Sequence, residues 1–278
     1  MRFISPDLSI PTNYFAQLEA TDDELAALIR YLGFLVTEHV YDKVALDSRY
    51  APSPVWRKWA SGTFVGFSGD RVMLKGGHRF IDSYEPIGYL VTQSSHHSFL
   101  GHIKTCYAKI RQAKRAGSLN HHIAAFAEIY PNFRHTTQHE LLLANHGFAY
   151  LRMLELYNLT ETDRDIKKVV EVGGGSCVNA AVMIGAFGCK YIIIDLPETI
   201  FVGYCFLKTI FPELRIALPN IIHEHIAGGR NFSSLQEEYD VVFMLPYQAN
   251  LIGDGAMDMA FNISSFQEAD SRMKCNFD

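Results

Sequence analysis

Glu171, the glycines Gly173, Gly174 and Gly175, and Asp195 are the residues of this chain whose types and spacing could do chemistry together. They lie in Lys167-Lys-Val-Val-Glu-Val-Gly-Gly-Gly-Ser176 and in Tyr191-Ile-Ile-Ile-Asp-Leu-Pro-Glu198. Val169, Val170 and Val172 are β-branched and suit a strand covered on both faces. Three glycines then let the backbone turn sharply and approach a ligand with no Cβ in the way. Asp195 ends a second apolar run about 20 residues after the turn, where a carboxylate can accept both hydroxyls of an adenosine ribose. The pattern is that of a strand, a glycine turn, a helix and a second strand ending in an acceptor, and it implies a ribose-bearing ligand.

The turn discriminates among such ligands. A dinucleotide fingerprint would carry its third glycine at Val178, so the close-packing glycine of that motif is absent. Glu171, two residues before the first glycine, suits an ammonium group and repels a pyrophosphate. S-adenosylmethionine carries both an ammonium and a ribose. The Glu-x-Gly-x-Gly pattern resembles the first motif of class I S-adenosylmethionine-dependent methyltransferases. That resemblance implies that Gly173 and Gly175 border the methionine moiety, Glu171 faces its amino end and Asp195 holds the ribose. The family's third small residue is Ser176 or Cys177 here, a mild departure. Further on, "IIIDLPET", "FMLP" and "DMAFNISSFQE" are similar to a bacterial family of sugar O-methyltransferases, a resemblance that spans residues 166–278. It implies methyl transfer to a hydroxyl of a sugar or a related polyhydroxylated small molecule.

Methyl transfer to oxygen needs alignment of donor and acceptor, a base for the hydroxyl proton, and exclusion of water. Asn262 follows the apolar Met259-Ala-Phe261 at a strand end. Its amide would either orient substrate or cofactor, or satisfy strand-end backbone groups. Glu268 is a weaker candidate, read as a solvated charge. His135, His139 and His146 fall within about 40° of one another on a helix. Three readings of that face stay open: a metal site, a neutral histidine base, or a polar structural surface. His139 and His146 are carried as catalytic candidates with Asn262, and no metal is assigned. Trp56 and Trp59, near Tyr50 and Phe64, read as core or a domain seam more readily than as a sugar platform. His223 and His225 would share a strand face. Cys177, flanked by apolar residues, reads as a packing residue.

The elements that must position these groups follow from punctuation. Thr21-Asp-Asp-Glu24 is a capping box opening a helix with apolar Leu25, Leu28, Ile29, Leu32 and Leu35. A hairpin is expected over 63–75 around Ser-Gly-Asp, and helices over 98–116, 120–130 and 136–159. Residues 1–165 are therefore expected to be a mostly helical region on the acceptor side. Residues 166–278 are expected to be a Rossmann-like, doubly wound parallel α/β sheet that binds S-adenosylmethionine. Gly188 should stop its first helix, and Pro197 should open the next. The expected order gives four strong strands, with 214–218 as a short addition. Only 15 residues follow Ile263, so the sheet is expected to be incomplete: C-terminally truncated, or covered at its edge by another chain, with a homo-oligomer one such arrangement.

The composition narrows the classes. Of 278 residues, 48% are hydrophobic and 20% charged, enough for a substantial core. A net charge of −5 without a basic cluster argues against nucleic acid. No apolar stretch reaches the length of a membrane span. Five scattered cysteines fit a reducing cytoplasm. Two alternatives remain: a non-catalytic remnant or interaction module of the same fold, and a nicotinamide-dependent oxidoreductase, which Val178 and Glu171 disfavour.

Overall fold

A computed structural model describes residues 2–4, 15–46, 64–75, 166–175 and 177–262. Four short strands occur in its N-terminal part: β1 (Arg2–Ile4), β2 (Phe15–Glu19), β3 (Phe64–Ser68) and β4 (Arg71–Lys75). They pair antiparallel in the order β1-β2-β4-β3. The expected hairpin is β3–β4, with Ser68 opposite Arg71. β1 and β2 are strands that the sequence pattern did not assign. β2 pairs with β4, far along the chain, and such a distant partner leaves little local trace in sequence. The helices expected over 98–116, 120–130 and 136–159 lie outside the described residues.

Helix α1 (Asp22–Thr37) starts at Thr21, whose hydroxyl accepts from Glu24 N, while the Glu24 carboxylate accepts from Thr21 N at 2.8 Å. The capping box is thus complete. Leu28 and Leu35 are buried as the pattern requires, but Ile29 is 54% exposed. Tyr31 and Phe34 take the inward positions instead. After α1 comes α2 (Val40–Leu46).

The remaining described elements alternate. They are β5 (Lys168–Val172), α3 (Val178–Phe187), β6 (Lys190–Ile194), α4 (Pro197–Ile210), β7 (Ile216–Ala217), α5 (Pro219–Ala227), α6 (Phe232–Glu238), β8 (Val241–Met244) and β9 (Met259–Phe261). A 3₁₀ turn (Pro246–Leu251) joins the last two. Gly188 ends α3 and Pro197 opens α4, as expected. The five strands form one parallel sheet in the order β7-β8-β6-β5-β9. The short segment around 216 supplies the fifth.

Period-two alternation divides the two cores. Val169, Tyr191, Ile193, Val241 and Phe243 pack with α1, α3 and α4. Val170, Ile192, Ile194, Val242 and Met244 point the other way, against α5 and α6. Helices therefore cover both faces of the sheet, which explains why its strands read as continuous apolar runs. Helix α4 is buried along nearly its whole length. At Gly203 an added Cβ would overlap the Cys177 sulfur and stand 3.0 Å from the Phe243 ring, so a glycine is what lets α4 lie this close. Helix α1 packs on α4 through Tyr31 and Phe201, with ring centroids 4.8 Å apart, and meets α5 through Phe34 and His223 at 5.5 Å.

Candidate functional site

Strand order locates the crevice. From β5 the chain moves to β6 and then to β8 and β7 on the same side, whereas β9 lies on the other side of β5. The order reverses between β5 and β9, and in open α/β sheets ligands bind outside the carboxyl ends of the strands at such a reversal. The glycine turn follows β5 directly, and Asn262 follows β9.

The turn is tightly specified. Gly173 and Gly175 have φ of 77° and 58°, in the region that favours glycine. Gly173 N donates to Ile194 O at 2.8 Å, and Cys177 N to Gly174 O at 2.9 Å. A Cβ on Gly174 would stand 2.7 Å from Ile193 Cγ2, so the turn lies flat on β6. Cys177 is fully buried, and burial, with the charges of Glu171 and Asp195, pushes its thiol well up. It packs, as expected.

Asp195 stands at the end of β6 and is 6% exposed. Its Oδ2 accepts from Gly175 N at 2.8 Å and its Oδ1 from Leu196 N at 2.7 Å. Thr199, one helical turn on, also favours its charged form. Burial pushes its pKa up to about 7, against the opposing pull of those hydrogen bonds. The expected ribose acceptor is therefore at the crevice and already clasps the turn.

Glu171 is placed differently from the expectation that it faces a ligand. It is 0% exposed, with Oε1 accepting from Asn179 Nδ2 at 2.8 Å and Oε2 from the Tyr191 hydroxyl at 2.9 Å. Burial and the Glu171 charge push the Tyr191 phenol well up, so it remains a donor. The carboxylate braces β5, α3 and β6 beneath the turn. Asn262 donates from its amide to Val172 O. That is the strand-end role, and it ties β9 to the residue before the glycines.

Comparison with protein-family models, curated proteins and solved structures finds no match to this chain.

His135, His139, His146, Trp56, Trp59 and Glu268 lie outside the described residues. Among the described residues, no group of three His, Cys, Asp or Glu side chains is placed to hold a metal. His223 and His225 sit on α5, not on a strand. His223 is exposed, 4.0 Å from Glu38, while buried His225 bonds through Nε2 to Ser234 Oγ at 2.8 Å.

Three residues join the site that the sequence pattern did not assign. Thr199 lies one helical turn after Asp195. Glu198, half-buried in the first turn of α4, lies near the Tyr41 phenol of α2. Burial raises the Glu198 carboxyl above its ordinary value. Glu198 was visible in Asp-Leu-Pro-Glu but carried no role. Tyr41 has no local signal, because that neighbour belongs to a distant part of the chain. Among the described residues, no Lys or Arg makes an ion pair with Asp195 or Glu198.

Proposed function

We propose that the chain is an S-adenosylmethionine-dependent O-methyltransferase with a Rossmann-like cofactor domain, acting on a sugar or a related polyhydroxylated small molecule. One observation carries the reading: a glycine turn at the strand-order reversal, closed by a carboxylate at the end of the neighbouring strand. The charge of the site fits the cofactor. Asp195 and Glu198 have no partner cation among the described residues, so a phosphate would be repelled while a cationic ligand is favoured.

In this reading Gly173, Gly174 and Gly175 give close backbone approach, Asp195 holds the ribose, and Glu171 positions the turn from below. When bound, S-adenosylmethionine supplies an electrophilic methyl on a sulfonium. His139 and His146 are the candidates for the base that would take the proton of the acceptor hydroxyl. Asn262 keeps the β5 and β9 ends together and shapes the floor of the crevice. The cytoplasm, where the cofactor is available, is the proposed compartment.

The test is calorimetric titration of the 278-residue chain with S-adenosylhomocysteine and, separately, with NAD⁺. Micromolar binding of the first with none of the second supports the reading. Preference for NAD⁺, or binding of neither by folded protein, overturns it.

A further inference from the structure

Helix α1 carries two apolar faces, and the core uses one of them. Leu28, Tyr31 and Leu35 are buried against the α/β part. Ala26, Ile29, Gly33 and Val36 fall within about 80° of one another on the opposite side of the helix. Ile29 is 54% and Val36 72% exposed among the described residues. From Leu25 to Thr37 the helix bears one charged side chain, Arg30. The solvent face of a surface helix is ordinarily polar, and an apolar one marks a contact. The residues of this face also have an order: small, large, small, large, at intervals of three, four and three. Laid antiparallel on a second copy of itself, that order meets its own complement. Ala26 falls opposite Val36 of the second copy, and Ile29 opposite its Gly33, so a small residue faces a large one at every level. Nothing stands within 4 Å of where a Cβ on Gly33 would be, so the seat is open.

We propose that this face of α1 docks a second copy of the chain, with the two α1 helices antiparallel about a two-fold axis and Ile29 of each seated on Gly33 of the other. A two-fold contact requires a self-complementary patch, since one surface serves both protomers. A foreign helix would impose no such symmetry under reversal. The spacing is that of helices packed at a shallow angle, and Ala26 and Gly33 let the two backbones approach. Half-buried Leu25 and Leu32 border one side of the face, and exposed Arg30 the other. Two-fold pairing therefore sets leucines beside leucines and Arg30 near its own copy. The contact is small. Three helical turns bury well under the roughly 1,200 Å² that a stable specific interface needs. The pair is accordingly a weak dimer, with a dissociation constant on the order of 100 µM. It stands whatever ligand the glycine turn holds. The Tyr31 hydroxyl of the same helix donates to Pro197 O at 3.2 Å, so the pairing helix also touches the start of α4.

The experiment is sedimentation equilibrium of the full chain from about 5 to 500 µM, a range that brackets the expected constant. Moderate salt screens the Arg30 pair. Wild type should pass from monomer to dimer across that range. Gly33→Ile sets two large side chains against each other and should weaken association by about tenfold or more, although it makes the face more apolar. Ile29→Ala combined with Gly33→Ile exchanges the two sizes and should restore association to within about threefold of wild type. These positions face solvent, and thermal unfolding verifies that each variant folds. A wild type that stays monomeric throughout overturns the proposal. So does Gly33→Ile pairing as well as wild type or better, which is what an indiscriminate apolar patch would give. Failure of the folded exchange variant to recover overturns it too, as does a dimer that none of these variants alters, which would belong to another surface.

Discussion

The Asp195 carboxylate accepts the backbone N–H of Gly175 at 2.8 Å, so the end of one strand clasps the turn that follows its neighbour. This clasp is made by a carboxyl that burial raises from 3.8 to about 7. In the unfolded chain the group ionises near its ordinary value, whereas the folded chain keeps the proton longer. The folded state thus binds more protons across that interval, and stability falls as pH rises through it. Below about 3.8 the contribution is complete, and above about 7 it is lost. Asp195→Asn removes the titration. In urea unfolding at successive pH values, wild type should lose stability relative to Asp195→Asn between those limits and run parallel outside them. Parallel curves throughout would refute the burial argument.

Glu171 and Tyr191 make a second test, of a joint rather than of a clasp. The phenol donates to a fully buried carboxylate at 2.9 Å. Tyr191→Phe removes one donor from that charge and should cost about 1–3 kcal/mol. Glu171→Ala should cost more, about 3–5 kcal/mol, because it strips both the Tyr191 hydroxyl and the Asn179 amide of this acceptor in a buried setting. Denaturant unfolding of the two single variants and the double should show strong coupling. Additive losses would mean that the two side chains do not act as a unit.

Asn262 separates two roles by the sign of one substitution. Its amide donates to Val172 O. Asn262→Ala removes that donor at a cost of about 1 kcal/mol. Asn262→Asp does worse, since it sets an acceptor against the carbonyl. A residue held only for a ligand would leave stability unchanged in both variants, and thermal unfolding distinguishes the cases.

Much of the α/β part was legible because local and global preferences agree there. The runs Lys168–Val172 and Lys190–Ile194 are rich in β-branched residues, Gly188 and Pro197 punctuate the helices, and Thr21 with Glu24 announces α1. The readings that differed turned on partners far along the chain. An acid before a glycine turn reads as a ligand contact until Asn179 and Tyr191 fold onto it. Ile221-Ile-His-Glu-His-Ile226 mimics strand alternation, yet Pro219 and Gly228 are helix start and stop signals, and the segment is α5. Ile29 fits the apolar stripe of α1, but Tyr31 and Phe34 face Phe201 and His223 and set the helix's rotation. Nothing near Tyr41 in sequence marks it as a neighbour of Glu198.

Gly203 shows how the same long-range packing can be measured. The residue looks dispensable in a helix, where glycine costs about 1 kcal/mol relative to alanine. By propensity alone Gly203→Ala would stabilise α4. Packing says the reverse, since the new Cβ overlaps the buried Cys177 sulfur and crowds the Phe243 ring. Neither neighbour has a free end to swing away, because Cys177 is held at the helix entry by Cys177 N to Gly174 O and Phe243 lies in the central sheet. The expected outcome is a net loss of about 1–3 kcal/mol. Cys177→Ala leaves a small cavity and also destabilises, but it empties the space that the new methyl needs. The double variant Gly203→Ala, Cys177→Ala should therefore be more stable than the sum of its single losses allows. Denaturant midpoints of the four proteins decide it, and strict additivity would show that α4 does not meet the glycine turn through this pair.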